Sequence, residues 1–312
     1  MTAGRRSQVA GRRSQAGNGQ LKVGGGEPLT RADRETETAA GARRVDVRIR
    51  RPSADLQPYV TFFYHVEADG PVTDFLYPEW GNVRFALTGR WAVRMTGIDD
   101  PTPQDGALFG PTDRPGLIET EGGTCAGFGM TPIGWHRLVG GDAAAMTNRI
   151  QPLGHRMGFD AAAMHRALQA AGDERAEVAI MEEQLRARLA TRPPVSETVL
   201  RADRALRVRP AEVTDFARAA LLSERSLHRL CLSTFGFAPK RLMRLQRFLD
   251  TLGQVRTAVG QRLGKALQGY FDQAHFYRDF RDFMGMTPRA YFSAPRRAAS
   301  WRRRPKRSGR RA

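Results

Sequence analysis

Between Glu212 and Gly236 the sequence reads EVTDFARAALLSERSLHRLCLSTFG, and its second half puts Arg225, Ser226, His228 and Arg229 on one outward helical surface. Arginine can take O6 and N7 of guanine bidentately, and a surface displayed from the start of a helix suits the major groove. On an isolated exposed helix the same residues are as often merely solvated, so a second copy carries the weight. It runs from Leu263 to Pro288 as LGKALQGYFDQAHFYRDFRDFMGMTP and offers Gln273, Ala274, His275, Tyr277 and Arg278. Of these, Ala274 has no polar group and offers at most contact with a thymine methyl. Catalytic chemistry finds no comparable constellation. The six histidines are scattered without HExxH spacing, and there is no GxSxG, P-loop or Gly-rich dinucleotide turn. The nearest metal-binding set is Glu79, Glu119, Glu121 and His136, which reads more simply as exposed strand and loop polars. No enzyme, cofactor or metal is expected.

Each candidate surface needs a helix and a turn beneath it. Ser223 is a natural N-cap, with Glu224 favouring the positive helix end. Leu227, Leu230, Cys231 and Thr234 then fall on the inward face. In the second copy Asp272 caps, and Phe276, Phe280 and Phe283 point inward. Both copies end alike, as Phe235-Gly236-Phe237-Ala238-Pro239 and Met284-Gly285-Met286-Thr287-Pro288, where glycine suits the C-cap and proline the start of the next helix. The amphipathic run from Lys240 to Val259 predicts a long helix that would hold the two reading heads rigidly.

Upstream, residues 47–132 show short β-branched and aromatic runs separated by turn residues. These are Tyr59 to Val66, Val83 to Leu87, Trp91 to Thr96, Ala107 to Phe109, Gly116 to Glu121 and Cys125 to Met130, with Thr88-Gly89-Arg90 as a hairpin turn between the second and third. Trp80, Phe85, Trp91 and Trp135 read as core rather than as a ligand site. Helical spacing appears next at Ile133 to Leu138, Ala161 to Ala171 and Arg175 to Leu189. In the last of these Val178, Met181, Leu185 and Leu189 form a stripe suited to core packing, with subunit contact as the sharper alternative. Arg192-Pro193-Pro194 breaks the helix and marks a linker.

The net charge of +18 is unevenly spread. Residues 1–26 and 296–312 hold five and nine Lys/Arg with no acid, residues 201–295 balance at +9, and residues 27–200 at −5. Only the C-terminal part is therefore expected to meet a polyanion, with the tails adding nonspecific phosphate contacts. Cys125 and Cys231 lie in apolar surroundings without metal spacing, as small core residues of a protein in a reducing cytoplasm. No apolar run is long enough to span a bilayer, so no membrane is expected.

The C-terminal segment resembles the DNA-binding domain of the AraC/XylS family, most strongly over GYFDQAHFYRDFRDFMGMTPRAY. More weakly, residues 128–153, FGMTPIGWHRLVGGDAAAMTNRIQPL, resemble the β-rich sensor domain of one branch of it. The resemblance places base reading on Arg225, His228, Arg229, Gln273, Ala274, His275, Tyr277 and Arg278. It implies double-stranded DNA and RNA polymerase as partners, and leaves open a small-molecule effector and a homodimer. Leu221 stands where the family has a turn glycine and Cys231 where it has a large aromatic; Gly260, Gly264 and Lys265 weaken the second supporting helix. The expected architecture is α+β in two domains: a disordered basic tail over 1–44, a β-rich, cupin-like sensor or dimerisation domain with trailing helices over 45–192, a linker over 193–209, an all-α domain with two helix-turn-helix motifs over 210–295, and a second disordered basic tail over 296–312.

Overall fold

A computed structural model describes residues 45–98, 100–257 and 273–293. Both basic tails lie outside the described residues, as do Asp272 and the second supporting helix with Gly260, Gly264 and Lys265.

The N-terminal half is β-rich: β1 (Val45–Arg50), β2 (Val60–Ala68), β3 (Val72–Leu76), β4 (Asn82–Ala86), β5 (Trp91–Met95), β6 (Ala107–Phe109), β7 (Gly116–Thr120), β8 (Gly123–Met130) and β9 (Ile150–Pro152). They form two open antiparallel sheets, one ordered β1-β2-β8-β4-β6-β9 and the other β3-β7-β5. Alternation along the strands gives the larger sheet two different faces. Val83 and Phe85 of β4, with Ala126, Phe128 and Met130 of β8, meet helices from later in the chain. Ala86 and Cys125, one residue out of phase, meet Val72 and Trp91 of the smaller sheet.

The expected hairpin at Thr88-Gly89-Arg90 is corrected by this topology. β4 and β5 belong to different sheets, so the turn is a corner where the chain changes layer. Thr88 exchanges backbone hydrogen bonds with Thr124 (3.1 Å each way), while Gly89 takes φ +67° and lies so close to Gly122 and Gly123 that a side chain would collide with their backbone. The local sequence suits a tight turn, but the choice of partner strand is made by packing. β1, β3 and β9 have no counterpart among the expected runs: VDVRIR alternates apolar with charged residues, VTDFL is half exposed and IQP is too short for periodicity.

The outer face of the larger sheet is covered by α1 (Pro132–Gly134), which runs on as a wider turn over Trp135–Val139, and by α2 (Ala161–Gln169) and α3 (Glu174–Thr191). In α3, Met181 and Leu185 are fully buried and Val178 and Leu189 pack beside them, so the apolar stripe serves the core. An ion pair of Arg48 with Glu174 and a hydrogen-bond contact of His65 with the buried Glu177 at 2.9 Å strap α3 to the sheet.

The C-terminal half is helical: α4 (Glu197–Arg207), α5 (Val213–Ala220), α6 (Glu224–Phe235), α7 (Pro239–Thr257), α8 (Gln273–Met284) and α9 (Pro288–Ser293). The linker expected over 193–209 is corrected in part. Most of it is α4, capped by Ser196, and its Ala202, Ala205 and Leu206 are buried in the core of the helical domain. The apolar residues Val199, Ala202, Ala205 and Leu206 share that face at helical spacing, opposite arginines and acids, and the preceding Pro193-Pro194 break carries the expected linker too far. Among the described residues no helix is long and apolar enough to cross a membrane.

Cys125 lies between the sheets and Cys231 in the helical core, both fully buried. Burial pushes each thiol up to about 12, at Cys125 against the opposing pull of Arg84. At neutral pH neither forms the reactive thiolate. Alkylation by iodoacetamide should therefore be negligible in the native protein and complete in denaturant; rapid labelling of the folded chain would show that these cores open.

Candidate nucleic-acid interface

The first head is built on α5 and α6. Ser223 caps α6, its Oγ accepting from the Ser226 amide (3.2 Å) and meeting the Ser226 hydroxyl at 3.0 Å. Leu227, Cys231 and Thr234 are buried on the inner face with Leu230 half-buried, and Gly236 closes the helix in the left-handed conformation. That register leaves Arg225, His228 and Arg229 exposed, and none of the three is held by an ion pair among the described residues. Ser226 is half-buried and engaged with the cap, so it serves the helix start as well as the surface.

The turn between the helices carries strain. Leu221 ends α5 at φ 56°, ψ 45° with its side chain 73% exposed, in the place where a glycine is expected. A β-carbon in this conformation costs roughly 1–2 kcal/mol, and the exposed side chain returns little. Leu221→Gly should raise the unfolding free energy by about 0.5–1 kcal/mol after the extra chain entropy of glycine is deducted. Urea denaturation of the two proteins measures this, and a loss of stability would mean that Leu221 packs on something.

The second head is held differently. Phe248 of α7 stacks on Phe283 of α8 (5.0 Å between centroids) and meets Phe280 edge-on (5.6 Å), with all three rings fully buried alongside Phe276. On one side of this contact Arg244 donates to Asp279 (2.6 Å) and Asp282 (2.7 Å), while Arg247 donates to the other oxygen of Asp279 (3.3 Å). Asp279 is only 1% exposed, and each arginine is about a third exposed. Arg241 bridges Asp282 and Asp113 of the β domain, the latter at 2.7 Å, and lies 4.2 Å over the Phe283 ring.

These arginines escape a search for outward base-reading groups. Their signal is the shared spacing: Arg241, Arg244 and Arg247 at intervals of three, facing Asp279 and Asp282 at the same interval.

Of the expected readers on α8, Ala274 and Arg278 are exposed. His275 is half-buried against the clamp, its Nε2 3.2 Å from Arg247 and 3.9 Å from Asp279. Tyr277 is half-buried, edge-on to Phe276 at 6.2 Å. Gln273 opens the helix.

The candidate metal set is not brought together. Glu119 pairs with Arg94 at 2.5 Å, and His136 is held below its usual range by burial and by nearby Arg192. Among the described residues no group of three such side chains could hold a metal. A different polar cluster lies between the sheets. Arg84, 7% exposed, donates through Nε to the Tyr64 hydroxyl (3.2 Å), which donates to Asn82 (2.8 Å). The Asn82 amide in turn reaches Glu79 at 3.4 Å. Burial pushes the Glu79 carboxyl up to about 7, although Arg84 and Asn82 pull the other way.

A capped helix, α6, and a second helix, α8, each with exposed arginine and both fixed to one long helix, suit a DNA-binding module. Residues 216–294 match the family model described as a helix-turn-helix domain, and this domain is of the AraC type. The chain is accordingly a DNA-binding transcriptional regulator. Among solved structures it is similar to apo ToxT from Vibrio cholerae, at 7% identity over 75% of this chain and 96% of that one with a TM-score of 0.45. It is also similar to the AraC-like transcriptional activator CuxR, at 14% identity over 72% and 91% with a TM-score of 0.27. No curated protein matches the sequence.

Removing the carboxylate of Asp279 leaves Arg244 and Arg247 without their shared partner. Asp279→Ala should lower the unfolding free energy by about 2–3 kcal/mol, less than for a wholly buried pair because both guanidinium groups reach solvent. Arg204→Ala, which breaks an exposed pair with Glu197, should cost under about 1 kcal/mol. Equal effects in urea titrations would deny Asp279 its special place.

Proposed function

We propose that the protein is a sequence-specific regulator, an activator in sign, that reads two successive major-groove segments about one helical turn, roughly 34 Å, apart on one face of duplex DNA. The observation that carries this reading is the attachment of both heads to α7. Leu242 and Leu245 lie in the core shared with α6, while Phe248, Arg244 and Arg247 fasten α8. A pair of surfaces fixed in this way selects a fixed spacing between half-sites.

Within this reading Arg225, His228, Arg229 and Arg278 contact base edges, with Gln273 at the start of α8 and Ala274 against a thymine methyl. Ser226 orients the first helix through its cap. His275 and Tyr277 add a groove contact to their role in seating α8. The β domain over 45–192 is the sensor or dimerisation module. Its contacts with the helical domain run through Arg241 and Asp113, and through Thr147, whose hydroxyl donates to the Gly236 carbonyl at 2.9 Å. An effector, a second copy of the chain and RNA polymerase are the partners that the family resemblance supports.

Selection from random duplexes by the full chain at near-physiological salt tests this. A bipartite motif with a fixed separation is the expected result; a single short motif would leave one head without a reading role. Binding without enrichment, vanishing as salt rises, would overturn sequence-specific reading in favour of counterion release alone. Arg229→Ala and Arg278→Ala should each cost about 1–3 kcal/mol and relax selection at one position of different half-sites. Uniform weakening on every sequence would make them phosphate contacts.

A further inference from the structure

Several arginines of the β domain meet a carboxylate, among them Arg48, Arg94, Arg149 and Arg186. One group does not. Where the turn over Trp135–Val139 lies against the end of α3, the half-buried side chains of His136, Arg137, Arg188 and Arg192 gather, and among the described residues none of the four is in an ion pair. Acids close in sequence are turned elsewhere. Asp142 accepts from the amide of Ala144 (3.0 Å), Glu197 pairs with Arg204, and Glu183, five residues before Arg188, falls on a different side of α3.

The hydrogen bonds of these arginines go to backbone carbonyls. Arg137 donates to Leu189 (3.0 Å) and to Pro193 at the end of α3. Arg188 donates through Nε to Leu138 (2.9 Å) and through Nη2 to Arg156 (3.3 Å), and Arg192 through Nε to Arg137 (3.3 Å). The carbonyls at a helix C-terminus carry about half a negative charge, which suits one cation. Three arginines exceed that need and repel one another: burial and Arg192 hold both Arg188 and His136 below their usual ranges. The carbonyls also fix the guanidinium groups without using them up. Nη1 of Arg188 and both terminal nitrogens of Arg192 have no partner among the described residues. Two glycines make room for them. A β-carbon at Gly140 (φ +75°) would come within 2.5 Å of a guanidinium nitrogen of Arg192, and one at Gly158 (φ +77°) within 2.8 Å of Arg188. Free donors held in place on neighbouring guanidinium groups match the oxygens of a phosphate.

We propose that this patch is a phosphate-binding site on the β domain. Two sources share that chemistry, a phosphate of the DNA backbone and a small phosphorylated molecule. The placement favours DNA. The Trp135–Val139 turn packs against α6, and the chain runs from Arg192 through only residues 193–196 into α4 of the helical domain. A phosphate flanking the first half-site is the polyanion that a DNA-binding chain brings to this junction. That assignment rests on the regulator reading; the site itself does not.

The test uses the full chain with Arg192→Gln, which removes the charge but keeps a donor for the Arg137 carbonyl, and Arg192→Lys, which keeps the charge. One arm compares a selected duplex ending at its half-sites with the same duplex extended by one helical turn, about 10 base pairs, on each side. The wild type should bind the longer duplex about threefold or more tighter. Arg192→Gln should lose that gain and lower the slope of log K against log salt by about 1, while Arg192→Lys keeps most of both. The other arm titrates pyrophosphate without DNA by calorimetry, reading saturation at millimolar concentration or below that Arg192→Gln removes. Arg94→Gln, at an arginine paired with Glu119, is the control and should match the wild type in both arms. An effect of Arg192→Gln on the duplex gain assigns the site to DNA, and an effect on pyrophosphate alone assigns it to a small phosphorylated molecule. Arg192→Gln matching the wild type in both arms overturns the site, as does a loss that Arg192→Lys fails to restore, since Arg192 would then be a structural strut. Absence of duplex selection by the wild type is a failure of the regulator reading, and the pyrophosphate arm then decides the site.

Discussion

The carboxylate of Asp279 is almost wholly withdrawn from solvent, and it is tolerable there only because Arg244 and Arg247 approach it from α7. A buried charge without partners would cost several kcal/mol, so the position of α8 along α7 is fixed wherever those three groups can meet. The aromatic cluster of Phe248, Phe280 and Phe283 supplies apolar burial but tolerates sliding; the ion pairs do not. Because the guanidinium groups keep part of their hydration, the arrangement avoids most of the desolvation penalty that offsets the attraction in fully buried pairs. The position of α8 relative to α6, which packs on the same long helix, is set by this contact.

The same helix also carries the link to the β domain. Arg241 is shared between Asp282 of the second head and Asp113 of the β domain, and Asp113 is itself held by Asn148, which donates to it at 2.8 Å and accepts from its amide at 3.0 Å. One arginine thus feels both domains. Eight residues further along, Leu249 lines a cleft with Tyr77 and Trp80 of the β domain. α7 is therefore more than a spacer: its arginine face orders α8, and its leucine face rests on the β domain.

Much of the helical domain was legible from residues alone. Ser223 and Gly236 bound α6 as capping chemistry requires, and the 3.6-residue period separates Leu227 and Cys231 from Arg225, His228 and Arg229. The β domain was less so. Its strands could be found from alternation, yet the pairing of Thr88 with Thr124 depends on residues far apart in the chain, and three residues of β9 carry no period. α4 lies beside the helix-breaking Pro193-Pro194, and its buried face, Val199, Ala202, Ala205 and Leu206, shows only once the core it packs into is present.

The sequence by itself determined the helix-turn-helix of α5 and α6, the outward residues of α6, its caps Ser223 and Gly236, and the concentration of positive charge in the C-terminal part. These are local properties, set by helical period and by which side chains can satisfy free backbone amides. Only the tertiary structure decided that the corner at Gly89 joins two sheets, that His275 turns toward Arg247, and that Arg241 is divided between domains. Each of those depends on which distant surface arrives opposite a residue, and packing settles that through the sum of many long-range contacts that no short window of sequence contains.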